Sequence, residues 1–348
     1  MTGNHINIAV TGLNAIDSPG PGVSVIRGLH EAKSFNAKVT GLAYEALEPG
    51  IYLDGLVHKS YLIPYPTEGI DSLRDRLMYI HSQEKLDVII PNFDAELFSF
   101  MKLEPELRQQ GIHMFLPTFE QFEERQKVNL PAFGKKHGID VPEGLSINSL
   151  GELDKAAKEL GFPMMVKGRF YDAYAAYNKE QAAGYFNKIS SKWGLPIVVQ
   201  QFVKGVELNV VGLGDGKGNT IAAVAMRKQF ITDKGKAWAG ITINDPALLE
   251  VTHKFISSTH WRGAFELEIM KSEDGRCFLM EINPRIPAWV YLAIATGQNI
   301  PETLVNLALG KPVTAYDSYE VGKLFIRYSY DMIVDRSGFE KLSVFGEL

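Results

Sequence analysis

The sequence predicts an α/β domain built on a parallel sheet, followed by a larger α+β region whose sheets are antiparallel. Three observations predict it. Strand-like and helix-like segments alternate through residues 1–117, the pattern of parallel α/β units. Beyond residue 196 apolar strands follow one another across tight glycine turns. A chain of 348 residues also exceeds what one ordinary core organises, so two or three domains are expected.

Residues 7–11 form a buried strand that ends in Gly12, and residues 23–32 follow with helical spacing. Residues 39–43 and 87–91 are further strands. Residues 97–110 form a helix closed by Gly111, a natural stop, and residues 112–117 form one more short strand. Gly12, Gly20, Gly22 and Gly28 do not match the spacing of a dinucleotide fingerprint, and Pro19 and Pro21 interrupt the turn. A plain loop at the carboxyl edge of the sheet is the better account. Next comes a helix over 118–137, with Thr118 as N-cap and Gly138 at its end. A helix at 150–160, a strand at 162–167, a helix at 179–190 and an apolar strand at 196–203 complete the middle of the chain. Segments 207–213, 220–230, 263–271 and 276–282 read as antiparallel strands, with hairpin turns at 214–218 and 273–275. A helix at 300–309 and a strand near 324–328 close the series; no internal repeat is evident.

Hydrophobic content of 45% against 22% charged residues is the balance of a soluble globular protein. A net charge of −5, from 36 basic and 41 well-mixed acidic residues, argues against nucleic acid as a partner. No apolar run approaches the roughly 18–20 residues of a membrane span, and residues 1–17 lack a basic-then-apolar leader. The single cysteine, Cys277, excludes an internal disulfide and a cysteine-based zinc site, and suits a reducing cytoplasm.

The segment Glu281-Ile282-Asn283-Pro284-Arg285 is the richest in chemistry. A period of two puts Glu281 and Asn283 on one face of an apolar strand, where both offer the oxygen ligands that Mg²⁺ prefers. Arg285, just past the proline, can grip a phosphate or carboxylate; the competing account is an ordinary polar turn. In the preceding arm Glu266 and Glu268 share a face. The 273–275 turn brings Glu268 beside Glu281, a repulsion that a divalent cation resolves. Glu266, expected to be the more exposed, ranks second. Lys167 ends an apolar strand before Gly168, placed to reach a phosphate or equally to snorkel. Lys127 sits in a charged run and reads as part of a solvated helix face. Gln200, Gln201, Phe202 and Val203 run into Lys204 and Gly205. That strand edge becomes a connector whose backbone can read an adenine edge while Glu207 accepts from a ribose, or it is a simple link.

The joint order of Lys127, Lys167, the Gln201–Phe202–Val203 hinge, Glu207, Glu268 and Glu281-Ile282-Asn283-Pro284-Arg285 resembles the ATP-grasp superfamily, in particular members like the carbamoyl-phosphate synthase large subunit and biotin carboxylase. The resemblance implies a pre-ATP-grasp α/β domain over 1–117, an ATP-grasp N-terminal subdomain over 118–195, and a C-terminal subdomain with the metal site over 196–348. It further implies ATP as cosubstrate with Mg²⁺, or Mn²⁺ in its place. Lys127 and Lys167 would contact the phosphates; Gln201, Phe202 and Val203 would frame the adenine; Glu207 would hold the ribose. Glu268, Glu281 and Asn283 would bind metal. Arg285 and Lys167 would act on the transferring phosphoryl group or acyl phosphate, and Lys228, with Arg227, would reach the γ-phosphate or the substrate carboxylate, both as weaker matches.

One departure concerns residues 168–178, where relatives carry a glycine-rich lid. Here Arg169, Tyr171, Tyr174 and Tyr177 would close over the nucleotide in place of a backbone cradle, or turnover would be slow or absent. The implied reaction is that of a carbon–nitrogen ligase: a small-molecule carboxylate becomes an acyl phosphate and passes to an amine, less often a thiol. Loops 168–178 and 232–240 would keep water out. Competing functions are a bicarbonate-activating enzyme like carbamoyl-phosphate synthase, a non-catalytic ATP-binding regulator, and a dehydrogenase using residues 1–117. The absence of a second grasp repeat in the sequence argues against two phosphorylation steps. A homodimer is the implied assembly, and Asn14, Asp94 and Glu96 are unranked candidates for substrate contacts.

Overall fold

The computed structural model describes residues 5–16, 18–168, 172–233 and 235–348. The first domain contains β1 (His5–Val10), α1 (Pro21–His30), β2 (Asn36–Ala43), β3 (Lys59–Leu62), α2 (Ile70–Glu84), β4 (Val88–Ile90) and α3 (Asp94–Gln109). Its sheet is wholly parallel in the order β3-β2-β1-β4. Strand alternation sends Ile8 and Val10 towards α1, and Ala9 and Ile89 towards α2 and α3, so both faces are covered. Gly12 follows β1 at φ 82°, where a Cβ would stand 3.1 Å from that of Asn92.

The sequence did not announce β3 or α2; the strand has four residues, and the helix buries only Leu73, Leu77, Ile80 and Glu84. The strand expected at 112–117 is reduced to a single bridge between His113 and Val88. Pro91, having no N–H, stops β4 after three residues and leaves that segment nothing further to pair with.

The middle of the chain holds α4 (Phe119–Glu124), α5 (Leu130–His137), β5 (Gly144–Ile147), α6 (Leu153–Leu160), β6 (Met164–Lys167), β7 (Ala173–Ala176), α7 (Lys179–Trp193) and β8 (Ile197–Gln201). The expected single helix 118–137 is two helices: Pro131 lacks the N–H that a helix interior requires and sits instead in the first turn of α5, while α4 ends at Glu124. Both expected ends hold, with Thr118 capping α4 and Gly138 closing α5 at φ 65°. Strands β5-β8-β6-β7 form an antiparallel sheet backed by α6 and α7. Since β8 is hydrogen-bonded into this sheet, the link to the next sheet falls at 202–204, later than the 195/196 division expected.

The last region contains β9 (Gly205–Asp215), β10 (Thr220–Ile231), β11 (Ala237–Thr242), α8 (Pro246–Thr259), β12 (Arg262–Ser272), β13 (Cys277–Asn283), α9 (Val290–Ala295), α10 (Ile300–Ala308), β14 (Leu324–Ile326) and α11 (Arg336–Phe345). Its six strands are ordered β13-β12-β9-β10-β11-β14. One face packs on α5 and α8 through Phe255, Phe265 and Trp261. The other carries Val211, Val224 and Ala264 into a core shared with α1, α9 and α10. Residues expected to be wholly loop at 232–240 are partly β11, and those at 168–178 are partly β7.

Two features tie the ends of the molecule together. Arg262 of β12 pairs with Glu104 of α3 at 2.9 Å and donates to the carbonyls of Leu116 and Met114. Residues 346–348 lie along the outer edge of β3, with Ser60 and Leu348 exchanging backbone hydrogen bonds of 2.8 and 2.9 Å. Among the described residues no helix is long and apolar enough to cross a membrane.

Candidate active site

The β12–β13 hairpin sets the acids. Its register places Glu268 opposite Glu281, and Glu266 opposite Asn283. Beyond that pair the register slips, and Ile269 meets Leu279. The extra residue, Met280, forms a bulge that lets Leu279 and Ile282 both enter the core although they are three apart. On the same face of the sheet, period two brings Glu207 and Asn209 from β9 and Lys228 from β10. The expected meeting of Glu268, Glu281 and Asn283 is therefore present.

Glu266 departs from expectation. It is the more buried of the two β12 acids, at 6% exposure, while Glu268 is half-buried. The Glu266 carboxylate accepts from Trp289 Nε1 at 2.6 Å, Asn209 Nδ2 at 3.3 Å, Asn283 Nδ2 at 3.3 Å and Arg285 Nη1 at 3.4 Å. Burial, with Glu281 and Glu266 close by, pushes the Glu268 carboxyl up to about 7. A cation between Glu268 and Glu281 would relieve that repulsion. Among the described residues no three His, Cys, Asp or Glu side chains gather closely enough to hold a metal alone. Two carboxylates and the Asn283 amide nevertheless suit Mg²⁺, which takes few protein ligands and completes its shell with phosphate and water.

The cations surround these acids. Lys127 lies in the turn between α4 and α5, where the proline break carries it off the solvated helix face expected for it. Its Nζ is 3.1 Å from Glu281 Oε1. Lys167, at the end of β6, donates to Gln200 Oε1 at 2.6 Å. Burial, reinforced by Lys127, pulls the Lys167 amine down to about 8, so it is no snorkelling surface lysine. Lys228 donates to Glu207 and, at 3.3 Å, to the Gly235 carbonyl. Burial would lower its pKa, but Glu268 and Glu207 more than offset that and raise it. Glu207, expected to face a ribose, is thus ion-paired in this structure. Arg227 is exposed, one residue along β10 from Lys228 and so on the opposite face.

Arg285 Nε lies 3.1 Å from Asp94 Oδ2, and Arg125 Nη2 lies 3.4 Å from Asp94 Oδ1. A carboxylate at the amino end of α3 therefore bridges two arginines. Burial lowers the Arg125 pKa, whereas Asp94 and Glu266 hold Arg285 up against its own burial. Glu96, in contrast, is fully buried and accepts from Thr11 and Tyr44 within the first domain, away from this cleft.

The hinge joins the two antiparallel sheets, with Phe202 and Val203 half-buried in the connector. The Gln201 side chain turns to the β5 side, accepting from the Glu143 N–H at 3.3 Å. Arg169 and Tyr171 lie outside the described residues. Tyr174 stacks on Tyr185 of α7 at 4.7 Å, on the helix-covered face of its sheet. Stacked there, Tyr174 does not form the expected cover, and Tyr177 is exposed beside the start of α7.

Arg125, Asn209 and Trp289 were not singled out as site residues from sequence, and Asp94 was an unranked candidate for substrate contacts. Asn209 carried a usable signal, two residues after Glu207 on the same strand. Arg125 stood in the same charged run as Lys127, hidden by the assumption of an unbroken helix. The pairing of Asp94 with Arg285 joins positions far apart in the chain and had no local signal.

Comparison with known proteins fits this geometry. Residues 195–328 match a family described as ATP-grasp in the biosynthetic pathway with Ter operon. The carbamoyl phosphate synthase large chain of Clostridium beijerinckii is 24% identical over 268 residues, which cover 72% of this chain and 24% of that protein. The chain thus spans about a quarter of the length of the curated relatives it matches. The biotin carboxylase domain of Hydrogenobacter thermophilus 2-oxoglutarate carboxylase, solved as a dimer with MgADP, ADP and bicarbonate, superposes with a TM-score of 0.70 at 17% identity, covering 91% of this chain and 73% of that one. An L-amino acid ligase from Bacillus licheniformis superposes with a TM-score of 0.66 at 19% identity, covering 90% of this chain and 76% of that one. The fold is the ATP-grasp fold, preceded by a parallel α/β domain.

Proposed function

We propose that this ATP-grasp protein is an ATP- and Mg²⁺-dependent ligase that activates a small-molecule carboxylate as an acyl phosphate and joins it to an amine, less often a thiol, with release of ADP and phosphate. The observation that carries this is the cross-strand pair Glu268–Glu281, directly opposed in register, with Lys127 at 3.1 Å from Glu281. Opposed carboxylates ringed by lysines suit a metal–polyphosphate complex, in which each charge finds a partner.

In this proposal Glu268, Glu281 and Asn283 hold the metal, which supplies positive charge to the phosphates when bound. Lys127 and Lys167 take hold of phosphate oxygens as their contacts with Glu281 and Gln200 are exchanged for the ligand. Phe202 and Val203 of the connector frame the adenine, and Gln201 fixes the connector to β5. Lys228 delivers Glu207 towards the ribose or itself reaches the transferring group. Arg285, charged and half-buried, steadies the acyl phosphate where the first domain meets the cleft. Arg169 in the loop after β6 belongs to the nucleotide cover. The L-amino acid ligase among the fold neighbours supports a carboxylate and an amine as substrates. The biotin carboxylase dimer supports a homodimer, and the buried free Cys277 suits a reducing cytoplasm. A second proposal, bicarbonate as the acid, is favoured by the carbamoyl phosphate synthase relatives and the bicarbonate-bound neighbour.

The test is ADP release with Mg²⁺ across a panel of amino acids and other carboxylates, with and without amines, and with labelled bicarbonate. Glu281→Gln is expected to lower ADP release by more than the roughly 10–100-fold typical of outer-shell residues, with an unchanged melting curve. Undiminished turnover in that variant would remove the metal assignment.

A further inference from the structure

Glu266, ranked second for the metal role from sequence, is a buried carboxylate beside the site to which the proposed mechanism gives no task. We infer that Glu266 is a positioning residue which sets the metal-facing side of Asn283 and the reach of Arg285, and is not itself a metal ligand. This rests on the ATP-grasp ligase proposal for the roles of Asn283 and Arg285, and on the structure for the contacts.

Each oxygen of Glu266 accepts two hydrogen bonds. Oε1 takes Trp289 Nε1 at 2.6 Å and Asn209 Nδ2 at 3.3 Å, while Oε2 takes Asn283 Nδ2 at 3.3 Å and Arg285 Nη1 at 3.4 Å. A carboxylate has about four acceptor positions, so this one is filled and has none left for a cation. Every partner is a hydrogen-bond donor.

The consequence for Asn283 is directional. Its Nδ2 donates to Glu266 Oε2 and also to Glu268 Oε1 at 3.3 Å. With the nitrogen accepted by Glu266, the amide oxygen is held on the other side of the group, and the Glu268 contact is the one a cation would replace. Arg285 is held between Glu266 and Asp94, so its guanidinium spans β12 and the first domain. Trp289, 5% exposed at the amino end of α9, anchors the hub to a packed helix. Fixing a ligand's orientation through a buried partner is the usual work of residues one shell outside a metal.

Glu266→Gln keeps the shape but puts an NH₂ where two donors converge, so the Asn283 amide loses its preferred orientation. Trp289→Phe removes a single donor to Glu266 and touches none of the proposed ligands. The measurements are Mn²⁺·ADP binding by electron paramagnetic resonance and calorimetry, melting curves, and steady-state ADP release against Mg²⁺ concentration. The expected result is Mn²⁺·ADP binding weakened roughly tenfold by Glu266→Gln and severalfold by Trp289→Phe, with wild-type stoichiometry in both. Half-saturating Mg²⁺ should rise in step and kcat fall, while KM for ATP changes little. The double variant should be no worse than Glu266→Gln, because both act through one carboxylate.

Wild-type binding in a folded Glu266→Gln variant overturns the inference. Loss of one bound Mn²⁺ in that variant, with Trp289→Phe unaffected, also overturns it by making Glu266 a ligand. Should Glu266→Gln fail to fold, Glu266→Asp and Trp289→Phe decide by the same criteria. A wild-type protein that binds Mn²⁺·ADP but never releases ADP from ATP would defeat the ligase proposal and leave the binding comparison intact.

Discussion

At the residue scale, Lys167 shows how a fold changes what a side chain offers. Burial and Lys127 bring its amine from 10.5 down to about 8, so it is charged below pH 8 and loses its proton above. A polyphosphate favours the charged form, so binding above pH 8 must first restore a proton. Affinity for Mg²⁺·ADP, followed by calorimetry, should therefore fall above pH 8, approaching tenfold per unit at the steepest, separately from the loss below about pH 7 that protonation of Glu268 brings. Lys167→Met should bind weakly and flatten that fall; an unchanged slope in the variant would assign the proton elsewhere. The acids of the cleft were legible in sequence because a hairpin turn and a period of two fix which carboxylates oppose each other. The burial of Glu266 was not, because it depends on Trp289, well outside the hairpin. The Asp94 bridge was likewise hidden, since only folding brings α3 to the end of β13.

At the scale of elements, α4 is a short helix held by its ends. Thr118 Oγ1 accepts from the Gln121 N–H at 3.2 Å, and Gln121 Oε1 accepts from the Thr118 N–H at 2.9 Å. Gln121 also donates to the carbonyls of Thr259 and His260, which fastens α4 to the end of α8. Urea unfolding should show Thr118→Ala costing about 1 kcal/mol, the usual value of an N-cap. Gln121→Ala should cost more, because it also strips two carbonyls of their donor. The cap was readable; the break after Glu124 was misjudged because a charged run concealed the proline effect. Helix α8 was passed over although Asp245 and Pro246 begin it as N-cap and first-turn proline. Strand β11 and helices α9 and α11 are short, and six to ten residues carry too little periodicity to stand out.

At the scale of the molecule, the first domain and the six-stranded sheet share a core and are cross-braced by Arg262. Replacing Arg262 with alanine strips two carbonyls of their donor and leaves Glu104, whose side chain is 15% exposed, with Arg108 as its remaining partner. Calorimetric unfolding should lose about 1–3 kcal/mol while remaining one transition. A loss under ~0.5 kcal/mol, the range of ordinary surface changes, would mean the brace is idle. The overall architecture was legible because alternating elements dictate a parallel sheet and successive hairpins an antiparallel one. The division between the two antiparallel sheets was placed early, since an apolar strand does not reveal which neighbour it will pair with. The pairing of residues 346–348 with β3 bears on how the protein is made. While the ribosome is still adding the later strands, the emerging amino-terminal sheet must wait with a bare flank, open to a chaperone or to a neighbouring nascent chain. Only when residues 346–348 arrive is that flank sealed, so a sheet laid down early in translation is completed by a segment made long after it.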